Sequence, residues 1–138
     1  ISHSFDICGN ELTAVLSKGL GIGYKEAEEM KNVQGISATG GESRRILLPL
    51  IDLIISETEK ITKSYLQSEN KEIEKVIMAG GSALMPGLRE YFYEKTKKPV
   101  EIANPFSDVF YPPILENELK KIGPSYAIAV GMAIRGLE

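Results

Sequence analysis

The chain has 138 residues, a length typical of one domain or of one part of a larger protein. Its 43% hydrophobic and 25% charged residues are ordinary for a globular fold. The net charge is −3 and no cluster of Lys and Arg with interleaved aromatics occurs, which argues against nucleic-acid binding. One cysteine excludes an internal disulfide. No apolar run reaches the ~18–20 residues that span a bilayer, so we expect no direct membrane insertion.

The first third of the chain predicts a strand followed by two short helices. Apolar and polar residues alternate over Ile1–Ile7, which is the pattern of a strand. A turn and helix N-cap are predicted at Gly9 and Asn10. Apolar residues at helical spacing then predict one helix up to Leu20 and a second over Lys25–Asn32. Because the chain starts in strand-like sequence without Met, we expect it to be a fragment of a longer protein.

The middle of the chain predicts a long helix and then a ligand-competent turn. The helix is expected over Glu42–Gln67, with Pro49 either in its first turn or at a kink. The short apolar run Val76–Ala79 predicts a strand covered on both faces. It ends at Gly80 and Gly81, where the backbone can take positive φ or let a ligand approach. In open α/β sheets ligands bind at such carboxyl ends, but glycine spacing alone favours a plain strand–helix turn.

The last third predicts a strand, an aromatic loop and a buried helix. Pro99–Ile102 is a third predicted strand, and the proline-rich segment 103–113 is predicted to be a loop. We expect the aromatic residues of this loop to hold it against the core; they are Phe106, Phe110 and Tyr111. A short helix over Ile114–Lys121 and a final helix over Tyr126–Leu137 follow. The final helix is almost entirely apolar or small, so we expect it to be buried against the sheet.

One charged pair has two interpretations from sequence. Glu28 and Lys31 stand three residues apart on the second helix, a spacing at which side chains meet. Such pairs are usually solvated surface ion pairs that contribute little to stability. The pair gains a functional interpretation only from the motif in which it occurs.

Several motifs in the correct order resemble those of the type IV pilus assembly protein PilM family. This family belongs to the FtsA, MreB and PilM branch of the actin-like ATPase superfamily. The motifs are Gly-Asn-Glu-Leu-Thr at 9–13, Ala-Glu-Glu-Met-Lys at 27–31, Gly-Gly-Ser-x-x-x-Pro-Gly-Leu at 80–88, Asn-Pro-Phe at 104–106 and the helix 124–136. The resemblance covers essentially the whole chain.

The resemblance implies an α/β fold, namely the C-terminal part of an actin-like (ribonuclease H-like) ATPase domain. A few-stranded sheet is packed by helices and carries a helical subdomain. The helical subdomain corresponds to residues 10–70, inserted into a sheet-containing core of residues 1–9 and 71–138.

The resemblance also implies an adenosine site for ATP. The positions that correspond to the family's site are Gly80, Gly81, Ser82, Leu84, Met85, Glu28 and Lys31. The glycines and serine lie beside adenine and ribose, Leu84 and Met85 lie near the base, and the two charged residues reach the ribose hydroxyls and the ring edge. Relatives hold the phosphates and Mg²⁺ with two Asp-containing, glycine-rich hairpins, and this chain has neither. We therefore expect weak or no ATP binding by this fragment alone, and no hydrolysis.

For the full-length protein, the resemblance implies an ATP-binding scaffold of the inner-membrane platform for type IV pilus assembly or type II secretion. Its partner is the N-terminal tail of a PilN-like membrane protein, which docks on a first domain that this chain lacks. The location is cytoplasmic, peripheral to the inner membrane through partners. Two alternatives remain: an FtsA-like cell-division actin, and a sugar kinase or exopolyphosphatase of the same superfamily. An exposed sheet edge predicts that the fragment forms a homodimer.

Overall fold

The computed structural model describes residues 2–4 and 7–136. In this part of the chain, the helices and strands are α1 (Gly9–Leu20), α2 (Tyr24–Val33), α3 (Gly41–Glu69), β1 (Val76–Met78), α4 (Leu88–Thr96), β2 (Val100–Ile102) and α5 (Glu116–Arg135). Two short 3₁₀ helices, Gly81–Leu84 and Pro113–Leu115, precede α4 and α5. The architecture is mixed α/β with much helix, as the sequence predicts.

Helix α1 packs against both α2 and α3, and the apolar faces of α1 and α3 contribute to the core. On α3 the buried residues Leu47, Ile51 and Ile55 recur every fourth residue, which is one face of a helix. Leu12 and Leu16 of α1 are likewise buried. Helix α1 ends at Gly21, whose φ of +65° is the left-handed conformation that commonly terminates helices.

The two strands form a small parallel sheet, and helix α4 lies between them in the chain. Val76 pairs with Val100 and Met78 with Ile102, so β1, α4 and β2 make one strand–helix–strand unit. Helix α4 turns Leu88, Tyr91 and Phe92 inward. These residues join the same hydrophobic core as those of α1 and α3, and the core therefore connects the helices to the sheet.

The start of α1 differs from the prediction. The helix begins at Gly9 with Cys8 as its N-cap, and no side chain caps it. Asn10 instead accepts a hydrogen bond from the Tyr24 hydroxyl at 3.3 Å. Of the predicted first strand, residues 2–4 and 7 are not in a strand, and residues 1, 5 and 6 lie outside the described residues.

Helix α3 extends slightly beyond its predicted ends and contains Pro49 in its interior. The first of the two alternatives for this proline, a place in the first turn, is therefore wrong. Because proline has no N–H, the carbonyl of Arg45 loses its usual partner within the helix. Pro49 is exposed, so solvent can reach this side of the helix.

Strand β1 is not covered on both faces as predicted. Val76 and Met78 are partly buried against the core, whereas Ile77 between them is 58% exposed. Side chains alternate across a strand, and none of the elements described here covers the face that carries Ile77. An apolar run of this length did not distinguish a half-covered strand from a fully buried one.

The C-terminal region contains the largest differences from the prediction. Helix α5 starts at Glu116 and passes through Gly123 and Pro124, where the sequence predicted a break. These two are its only buried residues, while Ile128 is 80% and Met132 71% exposed. The prediction that this helix is buried is wrong, because the apolar pattern does not show which element covers it.

The aromatic loop before α5 is only partly attached to the core. Phe110 is 99% exposed, so the prediction that it holds the loop in place is wrong. Phe106 does pack against α5: a Cβ at Gly123 would lie 3.6 Å from its ring and 3.3 Å from Pro105. The absence of a side chain at Gly123 therefore lets the first part of the loop lie directly on α5.

Candidate adenosine cleft at the Gly80–Gly81 turn

An open cleft of about 810 Å³ lies where three segments of the chain meet. One wall is the turn after β1, a second is the start of α1, and the third is formed by Glu28, Lys31 and Asn32 of α2. Apolar side chains of α3 and α4 contribute the remaining lining, including Ile51, Ile54 and Phe92. The cleft therefore combines charged, backbone and apolar surfaces.

The turn wall depends on the two glycines. Gly80 has φ +96° and ψ 166°, a region that is essentially restricted to glycine. A Cβ there would meet nothing within 4 Å, so its environment is open space. At Gly81 the nearest atom to a Cβ would be the Ser125 hydroxyl, at 3.5 Å. A flat ligand can thus approach this backbone closely.

Helix α5 holds the turn in place from behind. The Gly80 N–H donates a 2.7 Å hydrogen bond to the carbonyl of Pro124. Pro124 is buried in the middle of α5, so this bond fixes the turn to a rigid element. The Ala83 N–H then donates to the Gly80 carbonyl at 3.1 Å, which starts the 3₁₀ helix.

The second wall is close to the first because Gly9 has no side chain. A Cβ at Gly9 would collide with the Ser82 hydroxyl and would lie 3.8 Å from the Lys31 ammonium. Residues 8–10 of this wall line the cleft. A side chain at position 9 would therefore force the Ser82 hydroxyl to move, whereas glycine lets α1 and the turn lie close together without that shift.

Lys31 is the centre of a polar network within the third wall. Its ammonium donates to the Gly9 carbonyl at 3.1 Å, to the Thr13 hydroxyl at 2.8 Å and to Glu28 Oε2 at 2.7 Å. The Lys31 residue is only 2% exposed, and Thr13 is fully buried. The Thr13 hydroxyl also lies within hydrogen-bond reach of the Gly9 carbonyl and Glu28 Oε2. The surface ion pair considered from sequence alone is thus largely buried on its lysine side.

Glu28 is ionised and partly accessible. Its side chain is 39% exposed, and its second oxygen, Oε1, accepts only a 3.3 Å bond from the exposed Asn32 amide. Burial alone would raise the pKa of Glu28. Hydrogen bonds from Lys31 and Thr13, together with the Lys31 charge, outweigh that effect and lower the pKa. A carboxylate with one oxygen fixed and one available faces the cleft.

The structure brings five of the seven predicted site residues to this cleft; they are Gly80, Gly81, Ser82, Glu28 and Lys31. It places the other two elsewhere. Leu84 is 47% exposed and Met85 is 4% exposed within the hydrophobic core, and neither lines the cleft. The 3₁₀ helix causes this, because it turns the chain away from the cleft after Ala83.

Sequence reasoning missed two contributors to the site. Thr13 lies four residues after Gly9, the spacing at which its hydroxyl reaches the Gly9 carbonyl on the same helix face. That signal was present in the motif at 9–13. The support of Gly80 by Pro124 has no local sequence signal, because the two residues are far apart in the chain.

Residues 2–4 and 7–136 contain no group of three or more His, Cys, Asp or Glu side chains that could hold a metal ion. Among the helices of that same part of the chain, none combines the length and apolarity needed to cross a membrane.

Two comparisons place this fold among known proteins. A family model described as type IV pilus assembly protein PilM matches residues 4–137. A chain of a solved PilM–PilN type IV pilus biogenesis complex matches with a TM-score of 0.78 and 23% identity, over 94% of this chain and 37% of that chain. The structural match confirms the predicted fold class, and this chain spans little more than a third of the matched chain. Since the family model covers nearly all of its length, the chain belongs to the type IV pilus assembly protein PilM family.

Proposed function

We propose that this chain forms the adenosine side of an ATP site in a longer, actin-like scaffold protein of the pilus assembly platform. The observation that carries the proposal is the meeting of the open Gly80–Gly81 backbone with the ionised Glu28 across one cleft. The sequence motifs predict these residues at the site, and they come from segments about fifty positions apart in the chain.

The chemistry of the cleft suits a nucleoside. The flat base of adenosine can approach a turn that has no side chains at Gly80 and Gly81. Its ribose carries two neighbouring hydroxyl groups, which are hydrogen-bond donors that an ionised carboxylate accepts well. Oxygen Oε1 of Glu28 is the accessible acceptor.

The phosphate end of ATP requires residues outside this chain. The described residues offer no cluster of carboxylates that would fit Mg²⁺, and the sequence has no Asp-containing, glycine-rich hairpin. The matched PilM chain is much longer than this one. We therefore assign the phosphates and Mg²⁺ to the rest of the full-length protein, and we assign no hydrolytic step to the residues of this chain.

The scaffold role and the partner are part of the same proposal. The matched structure is named as a complex of PilM with PilN, which supports a PilN-like membrane protein as the partner. We propose that its N-terminal tail docks on the part of the protein outside this chain. Such docking would hold the protein at the cytoplasmic side of the inner membrane.

Titration of the full-length protein with ATP by calorimetry tests the nucleotide site. Gly81→Leu should weaken binding at least about tenfold, because a Cβ fits beside Ser125 but the rest of the leucine would fill the cleft. Gly23→Leu is the matched control, since a Cβ there meets nothing within 4 Å and φ is −63°. Equal affinity of the Gly81→Leu variant and the wild type would refute the site.

A further inference from the structure

Lys31 has no donor left for a ligand. An ammonium group has three N–H donors, and those of Lys31 go to the Gly9 carbonyl, the Thr13 hydroxyl and Glu28 Oε2. The acceptors come from two helices, so they surround the ammonium group. The resemblance to the PilM family implied direct contact between Lys31 and the nucleotide, and the geometry of the site does not provide for it.

We propose that Lys31 is a positioning residue, which fixes Glu28 through Oε2 and joins α2 to the first turn of α1, leaving Oε1 for the ribose. The proposal rests on the proposed adenosine site and deepens it. It assigns the recognition of the ribose hydroxyls to Glu28 alone. The contribution of Lys31 to binding therefore passes through the Glu28 carboxylate.

The burial of Lys31 and Thr13 favours this positioning role over the alternative, in which the Lys31 side chain moves to contact the nucleotide directly. Thr13 is fully buried and Lys31 is 2% exposed. If the ammonium group moved into the cleft, the Gly9 carbonyl and the Thr13 hydroxyl would lose a donor in a place with little access for water. The carboxylate of Glu28 would lose its counter-charge at the same time. The network is therefore more stable when the Lys31 ammonium stays with its three acceptors within the wall.

The same network connects the walls of the cleft. The Gly9 carbonyl belongs to the first turn of α1, where a Cβ would collide with Ser82 of the glycine turn. Lys31 donates one hydrogen bond to this turn of α1 and another to the Glu28 carboxylate. Loss of Lys31 should thus free the carboxylate to rotate while the glycine turn, which α5 supports, stays in place.

A double-mutant cycle on the full-length protein tests the proposal. The variants are Glu28→Gln, Lys31→Met and the double variant, each titrated with ATP, 2′-deoxy-ATP and 3′-deoxy-ATP. We expect each single variant to weaken ATP binding about tenfold, and the double variant to be no weaker than Glu28→Gln. Both single variants should also lose the preference of the wild type for ATP over the deoxy analogues. A merely structural role for Lys31 would lower affinity for all three nucleotides alike and leave that preference unchanged.

Two further variants make the test decisive. Lys25→Met removes an exposed lysine from the same helix and should leave ATP affinity and ribose preference unchanged. Thr13→Val removes the hydroxyl that contacts both Lys31 and Glu28, and serves if Lys31→Met does not fold. It should weaken ATP binding in the wild type and have no effect in the Glu28→Gln background.

The possible results separate the two proposals. If the wild-type protein binds no ATP, the adenosine site itself is refuted. If Glu28→Gln weakens binding and Lys31→Met weakens it by a further tenfold or so in that background, Lys31 contacts the nucleotide and the positioning role is wrong. A folded Lys31→Met variant with unchanged ATP affinity also overturns the positioning role.

Discussion

The loop after α2 meets the turn before α4 through direct contact between their backbones. A Cβ at Gly35 would lie 2.5 Å from the Pro86 carbonyl oxygen and 2.8 Å from Met85 Cγ. The Ile36 N–H donates to that same carbonyl at 2.9 Å, and Ile36 is fully buried. Gly35 itself has φ +50°. Any side chain at this position must therefore separate the two segments.

The substitution Gly35→Ala should lower the free energy of unfolding by about 3–6 kcal/mol. Left-handed backbone strain contributes about 1–2 kcal/mol, and loss of the Ile36 hydrogen bond about 1 kcal/mol. Displacement of the tightly packed Met85 and Pro86 contributes about 1–3 kcal/mol. The control is Gly41→Ala, which has the same φ of +50° but nothing within 4 Å of a Cβ. It should lose only about 1–2 kcal/mol, from the strain alone.

Urea denaturation followed by circular dichroism measures both variants against the wild type. The difference between them isolates the contact from the backbone strain, because their φ values are equal. We expect Gly35→Ala to be less stable than Gly41→Ala by about 2–4 kcal/mol, with similar dependence on urea concentration. A Gly35→Ala variant that is as stable as Gly41→Ala would show that the two segments separate at no cost, and would refute the reasoning.

Three further predictions concern polar contacts and association. Tyr91 donates a 2.5 Å hydrogen bond to Asp52, so Tyr91→Phe should lower the free energy of unfolding by about 1 kcal/mol. The control is Tyr93→Phe, because Tyr93 is exposed. The bond to Asp52 and burial raise the pKa of Tyr91. The contribution of Tyr91 to the free energy of unfolding should therefore persist below about pH 10 and disappear as pH rises through the raised pKa. The pKa of Glu28 is lowered, so the contribution of Glu28 to the free energy of unfolding should be present above about pH 4.3 and lost as pH falls through the lowered pKa. A Glu28→Gln variant whose stability depends on acid pH in the same way as the wild type would contradict this. The chain should also dimerise, and sedimentation that shows only monomer at high concentration would contradict that prediction.

Much of the secondary structure follows from local patterns. Helices α1 to α3 are close to their predicted positions, because their apolar residues recur at helical spacing and glycines mark several ends. Both short strands are also where the apolar runs predicted them. The family was recognisable from motif order, and the family model confirms it.

The failures of prediction lie where distant residues decide the structure. Gly123 and Pro124 are typical helix breakers, yet α5 continues through them. Gly123 accommodates the packing of Phe106, and the Pro124 carbonyl accepts the Gly80 N–H. Neither contact has a signal in the local sequence. The exposed apolar face of α5 was mispredicted for the same reason, since composition does not identify a neighbour.

The candidate site was only partly predictable. The sequence identified the glycine turn, but only the family resemblance connected Glu28 and Lys31 with it. The environment of Lys31 could not be predicted, because two of its three acceptors lie on another helix. Met85 was assigned to the ligand by motif position, whereas its side chain fills the core.

The network around Lys31 also has an entropic consequence. A free lysine side chain explores many rotamers, and fixing it costs up to roughly 2 kcal/mol. Here three hydrogen bonds restrict that freedom when the chain folds, before any nucleotide arrives. Glu28 is restricted with it, so binding at the proposed adenosine site would order little more than the ligand itself. In the proposed adenosine site, such a preorganised carboxylate would favour one ribose orientation and would leave more of the interaction energy available as affinity.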